Sequence, residues 1–176
     1  MKKIIHLSDL HIGHEDMSER FAHIIKMIEF FKPEAENYII VITGDLVERA
    51  TKSNYSEAKE LIDYFRKLKY TVLPVPGNHD YAELIFHFKK NVKLFKKTFF
   101  EKDDDFFKIY DGEYPKVDIF GDKKEEKIAF IGLDSMADEL HWYDSMWANG
   151  EIGPKQLERL DKRLREKKVI GCPHKV

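Results

Sequence analysis

Residues 38–45 read YIIVITGD, and this stretch decides the fold. Its first five residues form an unbroken β-branched and aromatic run, which is typical of a buried strand. Gly44 and Asp45 follow at the point where this strand must end. Glycine permits backbone conformations that a side chain would block, and the aspartate brings a carboxylate to the strand end. Because an ordinary turn uses the same two residues, their meaning depends on the neighbouring segments.

Two further segments repeat this arrangement, one on each side. Asp9-Leu10-His11 follows the apolar run Lys3–Leu7, and Gly77-Asn78-His79-Asp80 follows Thr71–Val75. The carboxyl ends of parallel strands share one rim of a sheet, and ligands tend to bind there. We therefore expect the three polar clusters to converge on one site. Their carboxylate, imidazole and carboxamide groups are suitable ligands for a pair of hard-to-borderline metal ions.

Each cluster offers a different kind of ligand. Asp9 and His11 point to the same side if the chain stays extended there, so they could bind one ion together. Asp45 has two carboxylate oxygens and can bridge two cations. Asn78 adds a neutral oxygen. Taken singly, each cluster is also compatible with a capping aspartate or a polar turn.

The last cluster also carries a candidate acid. His79 is our candidate general acid, because an imidazole can protonate a departing alkoxide near neutral pH. Asp80 could accept a hydrogen bond from one ring nitrogen of His79, which would select the tautomer of that ring. The alternative is that Asp80 only caps a helix that follows.

Helices are predicted between and after the three strands. Apolar residues recur at helical spacing over residues 18–31 and 54–68, and a longer helix is predicted from Tyr81 to Phe100. The resulting βαβαβα order implies parallel pairing with right-handed crossovers.

The second half predicts a different kind of pairing. Short strands are expected at Phe106–Tyr110, Val117–Phe120 and Ile128–Leu133, joined as an antiparallel meander. An aromatic-rich loop at 141–147 could form a rim for a base or lipid group, or simply pack over the sheet. Pro154 lies where a last helix would begin. The residues expected to point inward from that helix are Leu157, Leu160 and Leu164.

The composition is that of a globular domain. A chain of 176 residues is long enough for one domain with a core, so we expect a single domain over residues 1–176. Hydrophobic residues make up 43% and charged residues 35%, which excludes a disordered or membrane-embedded class. The formal net charge of −2 gives no overall attraction to nucleic acid or to an anionic membrane.

Cysteine content and hydropathy restrict the compartment. Cys172 is the only cysteine, so an internal disulfide and a thiolate metal cluster are both excluded. No apolar stretch is long enough for a signal peptide or a membrane helix. We therefore expect a cytoplasmic protein with no membrane partner.

The three clusters, in this order, resemble the opening motifs of the calcineurin-like metallophosphoesterases: Asp-x-His, Gly-Asp and Gly-Asn-His-Asp/Glu. Leu133-Asp134-Ser135 and Gly150-Glu151-Ile152-Gly153, with Gln156-Leu157, are similar to later parts of the cyclic-nucleotide phosphodiesterase-like branch. The resemblance covers nearly the whole chain. It implies an αββα sandwich, in which two mixed sheets are flanked by helices.

The resemblance also implies an activity. It implies hydrolysis of phosphomonoester or, preferentially, phosphodiester bonds at a centre of two divalent ions, which could be manganese, iron or zinc. His79 and Asp80 would be the catalytic acid pair. The substrate would be a small phosphoester or a nucleotide. A nuclease of the DNA-repair type is the alternative within the family, although the balanced charge disfavours it. The metal ligands would be Asp9, His11, Asp45 and Asn78.

One departure from the family pattern affects this expectation. The family also uses a histidine at the end of a later strand and a Gly-His-x-His motif, and the latter is absent from the sequence. His174 is the only candidate for the former. We therefore expect a truncated fold without its C-terminal strands, either as an enzyme or as a catalytically incompetent scaffold or partner-binding module. An exposed sheet edge would then favour poor solubility or a homodimer.

Overall fold

The computed structural model describes most of the chain. The described residues are 2–15, 17–83, 86–87, 89–100, 104–121, 126–136 and 150–176. They form two three-stranded sheets flanked by helices, together with one two-stranded hairpin. The predicted α/β class with two sheets is confirmed.

The first sheet has the strand order β1–β2–β3, and both pairs are parallel, as predicted. Its strands are β1 (Lys3–Leu7), β2 (Tyr38–Thr43) and β3 (Thr71–Val75). The central strand β2 is hydrogen-bonded on both sides, which suits its β-branched side chains. Because the pairing is parallel, all three strands end at one rim.

Helices connect these strands. They are α1 (Met17–Phe31), which passes into a 3₁₀ helix (Lys32–Asn37), and α2 (Lys52–Lys67). The helix α2 begins two residues before its apolar periodicity because the Thr51 hydroxyl accepts a hydrogen bond from the Asn54 N–H at 3.2 Å. Helices and sheet share one buried hydrophobic cluster, which includes Ile28, Ile40, Ile42, Ile62, Phe65 and Val72.

The segment after the third strand differs from the prediction. The predicted helix from Tyr81 to Phe100 is wrong in its first part, where the chain makes a turn and then a hairpin of β4 (Ala82–Glu83) and β5 (Phe86–His87). Helix α3 begins only at residue 89 (Lys89–Phe100). The turn forms because the Tyr81 and Ala82 N–H groups donate to the carbonyls of residues 78 and 79, both at 3.2 Å.

The second sheet contains the predicted hairpin. Strand β6 (Lys116–Phe120) is antiparallel to β7 (Ile128–Gly132), and a short β8 (His174–Lys175) is parallel to β7. The predicted strand at 106–110 is wrong, because residues 104–108 form helix α4 (Asp104–Lys108). A short apolar run does not distinguish a strand from a buried helical turn. In the helix that forms here, Phe106 is buried.

The last long helix starts where predicted but faces the other way. Helix α5 (Pro154–Leu164) begins at its proline, and a short α6 (Lys167–Ile170) follows. The prediction that its leucines point inward is wrong for Leu157 and Leu164, which are 50% and 36% exposed. Gln156 and Arg163 are buried instead. Polar partners inside the protein, described below for Gln156, determine this orientation.

The two sheets approach each other near the rim. A Cβ added at Gly132, the last residue of β7, would lie 2.9 Å from Val75 Cγ1 at the end of β3. Away from this contact they separate into an open groove of about 1130 Å³, lined by residues of both sheets. The close approach places residues 133–136 beside the loops that follow the first sheet. Among the described helices, none is long and apolar enough to cross a membrane.

The core of the first sheet should carry most of its stability. We expect Ile40→Ala to lower the free energy of unfolding by about 2–5 kcal/mol, because the side chain is completely buried. Ile4→Ala is the matched control on the same sheet, since Ile4 is 47% exposed, and it should cost below about 1.5 kcal/mol. Urea unfolding followed by circular dichroism measures both, and equal losses would contradict the burial pattern.

Candidate metal centre

Three loops meet at the carboxyl ends of β1, β2 and β3. Their backbones continue the hydrogen bonding of the parallel sheet: the Asp9 N–H donates to the Gly44 carbonyl at 3.2 Å, and the Gly44 N–H donates to the Val75 carbonyl at 3.1 Å. The first two loops are joined again where the His11 N–H donates to the Asp45 carbonyl at 2.9 Å. The predicted convergence of the three clusters therefore occurs, with the loops held by their own backbones.

Three of the proposed ligands have an unusual backbone conformation. Asp9, His11 and Asp45 have φ angles of 55°, 45° and 48°, in the left-handed region. Such a conformation costs a non-glycine residue about 1–3 kcal/mol and persists only where the surrounding structure imposes it. Strained residues of this kind cluster at functional sites, and here they coincide with the residues that the motifs single out.

The first potential ligand group consists of Asp9, His11 and Asp45. Their potential ligand atoms lie within 4.8 Å of one another, and His11 Nε2 is 4.0 Å from an Asp9 carboxylate oxygen. The expectation that an extended chain brings Asp9 and His11 together is wrong, because both residues are left-handed. The left-handed turn, rather than strand alternation, brings the two side chains together.

These residues suit a bound cation. In the described part of the chain, neither Asp9 nor Asp45 forms an ion pair with a lysine or an arginine. Two carboxylates whose oxygens lie within 4.8 Å of each other repel when both are charged, and a positive ion between them would offset that repulsion. His11 Nδ1 is a buried nitrogen without a hydrogen-bond partner of good geometry. Mixed oxygen and nitrogen ligands of this kind accept manganese, iron or zinc.

Glu48 is a site residue that the sequence analysis missed. Its Oε2 lies 2.9 Å from His11 Nδ1 and 4.0 Å from His79 Nδ1, so the carboxylate faces both rings. His11, Glu48 and His79 form the second group whose ligand atoms lie within 4.8 Å of one another. Its position in the sequence could have indicated that Glu48 lies at the site, because it follows Asp45 by three residues in a loop already expected at the rim.

The His79 ring is held by the backbone of this same loop. His79 Nδ1 lies 2.9 Å from the Glu48 carbonyl oxygen. A carbonyl can only accept, so Nδ1 carries the hydrogen and Nε2 is the nitrogen available for proton exchange. The ring also packs edge-on against the His11 ring, with 4.7 Å between the centroids. The predicted hydrogen bond from His79 to Asp80 is wrong, because Glu48 takes that place.

Asp80 has different hydrogen-bond partners from the one predicted. Its carboxylate is completely buried and accepts hydrogen bonds from three backbone N–H groups. The donors are Leu46 at 3.2 Å, Val47 at 3.0 Å and Gly77 at 2.9 Å. The pKa of Asp80 is raised to about 7: burial and, to a smaller extent, the charge of Asp45 raise it, and the three N–H donors partly offset this by lowering it. Asp80 therefore ties the second loop to the third from below the rim.

The Gly77–Asn78 turn lies directly against Asp45. The His79 N–H donates to Asp45 Oδ1 at 3.0 Å, and a Cβ added at Gly77 would lie 2.5 Å from the Asp45 backbone nitrogen. Only glycine allows this approach. Asn78 lies between two residues that both contact Asp45, which puts it at the same rim.

Other candidates lie elsewhere. His174 is exposed on β8, where it pairs with Ile128 at the start of β7, and it belongs to neither group of potential ligands. The structure therefore does not bring His174 together with the other proposed ligands. The aromatic-rich loop at 141–147 lies outside the described residues.

This geometry, with convergent acidic and histidine ligands at the rim of a parallel sheet in a two-sheet α/β fold, is that of a metal-dependent hydrolase. A family profile described as "Calcineurin-like phosphoesterase" matches residues 2–172, so the chain belongs to that family. The predicted family is thereby confirmed. The family's members are hydrolases acting on phosphoester bonds, which confirms the predicted enzyme class at the level of the family.

Two relatives each match a little under half of this chain. The chain is 36% identical over 85 residues to the DNA double-strand break repair protein Mre11 of Archaeoglobus fulgidus, covering 44% of this chain and 19% of the relative. It is 30% identical over 86 residues to a probable cyclic nucleotide phosphodiesterase of Coxiella burnetii, covering 47% of this chain and 34% of the relative. The matched region thus spans about a fifth and a third of these two proteins.

The close contact at Gly77 leads to a test of the site. We expect Gly77→Ala to weaken Mn²⁺ binding at least about tenfold, because its Cβ displaces Asp45 by steric overlap. Gly150→Ala is the control, since its Cβ would lie no closer than 3.1 Å to its nearest neighbour, Ser135. Isothermal titration calorimetry with Mn²⁺ measures both, and unchanged affinity in Gly77→Ala would contradict the proposed ligand role of Asp45.

The buried Asp80 predicts a pH effect on the metal-free protein. Its pKa in the folded state, about 7, lies above the ordinary value of 3.8, so its stabilising contribution is complete below about pH 4 and is lost as the pH rises through 7. The loss should amount to at most about 4 kcal/mol. Urea unfolding from pH 4 to 8 measures it against Asp80→Asn, which does not titrate. Parallel curves for the two proteins would contradict the shifted pKa.

Proposed function

We propose that this chain is a metal-dependent phosphoesterase that cleaves phosphodiester bonds. The observation that carries the proposal is the convergence of Asp9, His11 and Asp45 at one rim, in strained backbone conformations and without a cationic partner among the described residues. Asn78, which lies at the same rim, would complete the ligand set. Divalent ions bound there would polarise the phosphoryl group and lower the pKa of a water molecule.

His79 is proposed as the general acid of this reaction. With Nδ1 directed at the Glu48 carbonyl, the opposite nitrogen, Nε2, is free to donate. As a water oxygen bonds to phosphorus and the bond from phosphorus to the departing oxygen breaks, the protonated ring gives its Nε2 hydrogen to that departing oxygen. Asp80 is proposed as a positioning residue rather than a member of an acid pair.

The substrate class is inferred from the two relatives. One is named a probable cyclic nucleotide phosphodiesterase and the other a DNA repair protein, so a phosphodiester in a nucleotide or a nucleic acid is the best-supported class. A small nucleotide is favoured, because the net charge of −2 provides little attraction for a polyanion. DNA cleavage is the second candidate, supported by the 36% identity to Mre11.

The finer details stay predictions. We propose two divalent ions, with manganese, iron or zinc all compatible with the ligand types. The single domain over residues 1–176, the cytoplasmic location and the homodimer predicted from the sequence stay predictions as well.

The test is hydrolysis of bis(p-nitrophenyl) phosphate with added Mn²⁺. We expect His79→Asn to lower kcat about 10²–10⁴-fold, because the general acid is lost. Asp45→Asn should abolish both turnover and metal binding. His23→Asn and Asp63→Asn are matched controls on exposed helix surfaces and should match the unmodified chain.

Metal analysis separates the proposal from a scaffold role. If the chain holds no Mn²⁺, Fe²⁺ or Zn²⁺ after dialysis and hydrolyses neither the diester nor single-stranded DNA, it is a non-catalytic module. If it cleaves DNA but not small diesters, the nuclease alternative replaces the main proposal.

A further inference from the structure

A second buried carboxylate lies on the far side of the proposed site. Asp134, two residues after β7, is completely buried. Its Oδ2 accepts a hydrogen bond from the Tyr81 hydroxyl at 2.7 Å, and its Oδ1 accepts one from the Met136 N–H at 2.9 Å. Because its donors lie on both sides of the rim, this buried carboxyl group joins the two halves of the fold.

The backbone of Asp134 is held just as firmly. The buried Gln156 side chain accepts from the Asp134 N–H at 2.9 Å and donates to the Asp134 carbonyl at 2.7 Å. The oxygen and the nitrogen of the Gln156 side-chain amide therefore both bind the backbone of Asp134. Gln156 is in the first turn of α5, which explains why this helix turns a polar residue inward and leaves Leu157 exposed.

Tyr81 connects Asp134 and Gln156 to the 77–80 turn of the proposed site. It follows Asp80 directly, and its N–H donates to the Asn78 carbonyl at 3.2 Å. Its own carbonyl accepts from the buried Asn91 side chain at 3.0 Å, and its ring packs edge-on against Phe95. The hydroxyl of Tyr81 is thus held by the loop after β7, while its carbonyl and its ring are both held by α3.

We propose that Tyr81 and Asp134 are positioning residues for the proposed active site. Their hydrogen bond docks the second sheet and α5 onto the 77–80 turn and so sets where Asn78 and His79 lie. This role rests on the proposed function for its catalytic consequence, but the docking itself requires neither metal nor substrate. Gln156 holds the acceptor, Asp134, in place.

The chain provides a matched control for a buried tyrosine. Tyr70 is also buried, and its hydroxyl donates to the Ile28 carbonyl at 2.7 Å, on α1. Tyr70→Phe therefore removes the same kind of hydrogen bond as Tyr81→Phe, at a place that does not contact the rim loops. Any general effect of losing a buried hydroxyl should be equal in the two variants.

The experiment is amide hydrogen exchange by NMR on the metal-free chain. The reporters are the N–H groups of Leu46, Val47 and Gly77, which all donate to Asp80. We expect Tyr81→Phe to speed their exchange at least tenfold relative to amides of β2, while Tyr70→Phe changes both sets alike. Asp134→Asn should act on the same amides. The effect of the double variant should be smaller than the product of the two single effects, because each change weakens the same Tyr81–Asp134 contact.

Steady-state kinetics add the catalytic readout. With bis(p-nitrophenyl) phosphate and Mn²⁺, Tyr81→Phe should lower kcat about tenfold and leave KM within about twofold, whereas Tyr70→Phe should change neither. The positioning role is overturned if Tyr81→Phe and Tyr70→Phe give the same exchange pattern, or if the effects of Tyr81→Phe and Asp134→Asn multiply. If the unmodified chain hydrolyses no ester while the exchange pattern is as expected, the proposed function fails and the docking role stands.

Discussion

The rest of the site depends on the backbone hydrogen bonding that extends past the ends of the three parallel strands. A strand end normally leaves its last polar groups to solvent, and loops are correspondingly mobile. Here the Gly44 backbone connects both neighbours, donating to the Val75 carbonyl and accepting from the Asp9 N–H. Loops held in this way behave as rigid extensions of the sheet, so the side chains they carry start from defined positions.

Two buried carboxylates support this arrangement from beneath. Asp80 accepts hydrogen bonds from backbone N–H groups of two of the loops. Asp134 accepts a hydrogen bond from the hydroxyl of Tyr81, the residue after Asp80. Burying a carboxylate costs free energy unless hydrogen bonds replace its hydration, and each of these two has several protein donors. Both buried carboxyl groups therefore lie next to the 77–80 turn, while the hydrophobic cluster stabilises the packing of the sheet against the helices.

The sequence predicted the parts that depend on periodicity and on strand order. An unbroken β-branched run, parallel pairing and polar residues at strand ends were sufficient to place Asp45 and Asn78 at one rim. It did not predict what depends on long-range hydrogen bonds. Tyr81 has the helical spacing of an apolar residue, yet backbone acceptors at residues 78 and 79 turn the chain there. Glu48 looks like any surface acid until a neighbouring loop brings His11 within 2.9 Å of it.

The left-handed backbone at Asp9, His11 and Asp45 lowers the stability of the fold at the residues proposed to bind metal. These positions favour glycine, which takes the same conformation without steric cost. Replacing one of these proposed ligands by glycine would therefore relieve the backbone strain and remove the metal-binding side chain. We expect such a variant to be more stable and less active. Glycine substitutions at these positions therefore separate the cost of the backbone conformation from the proposed role of the side chains.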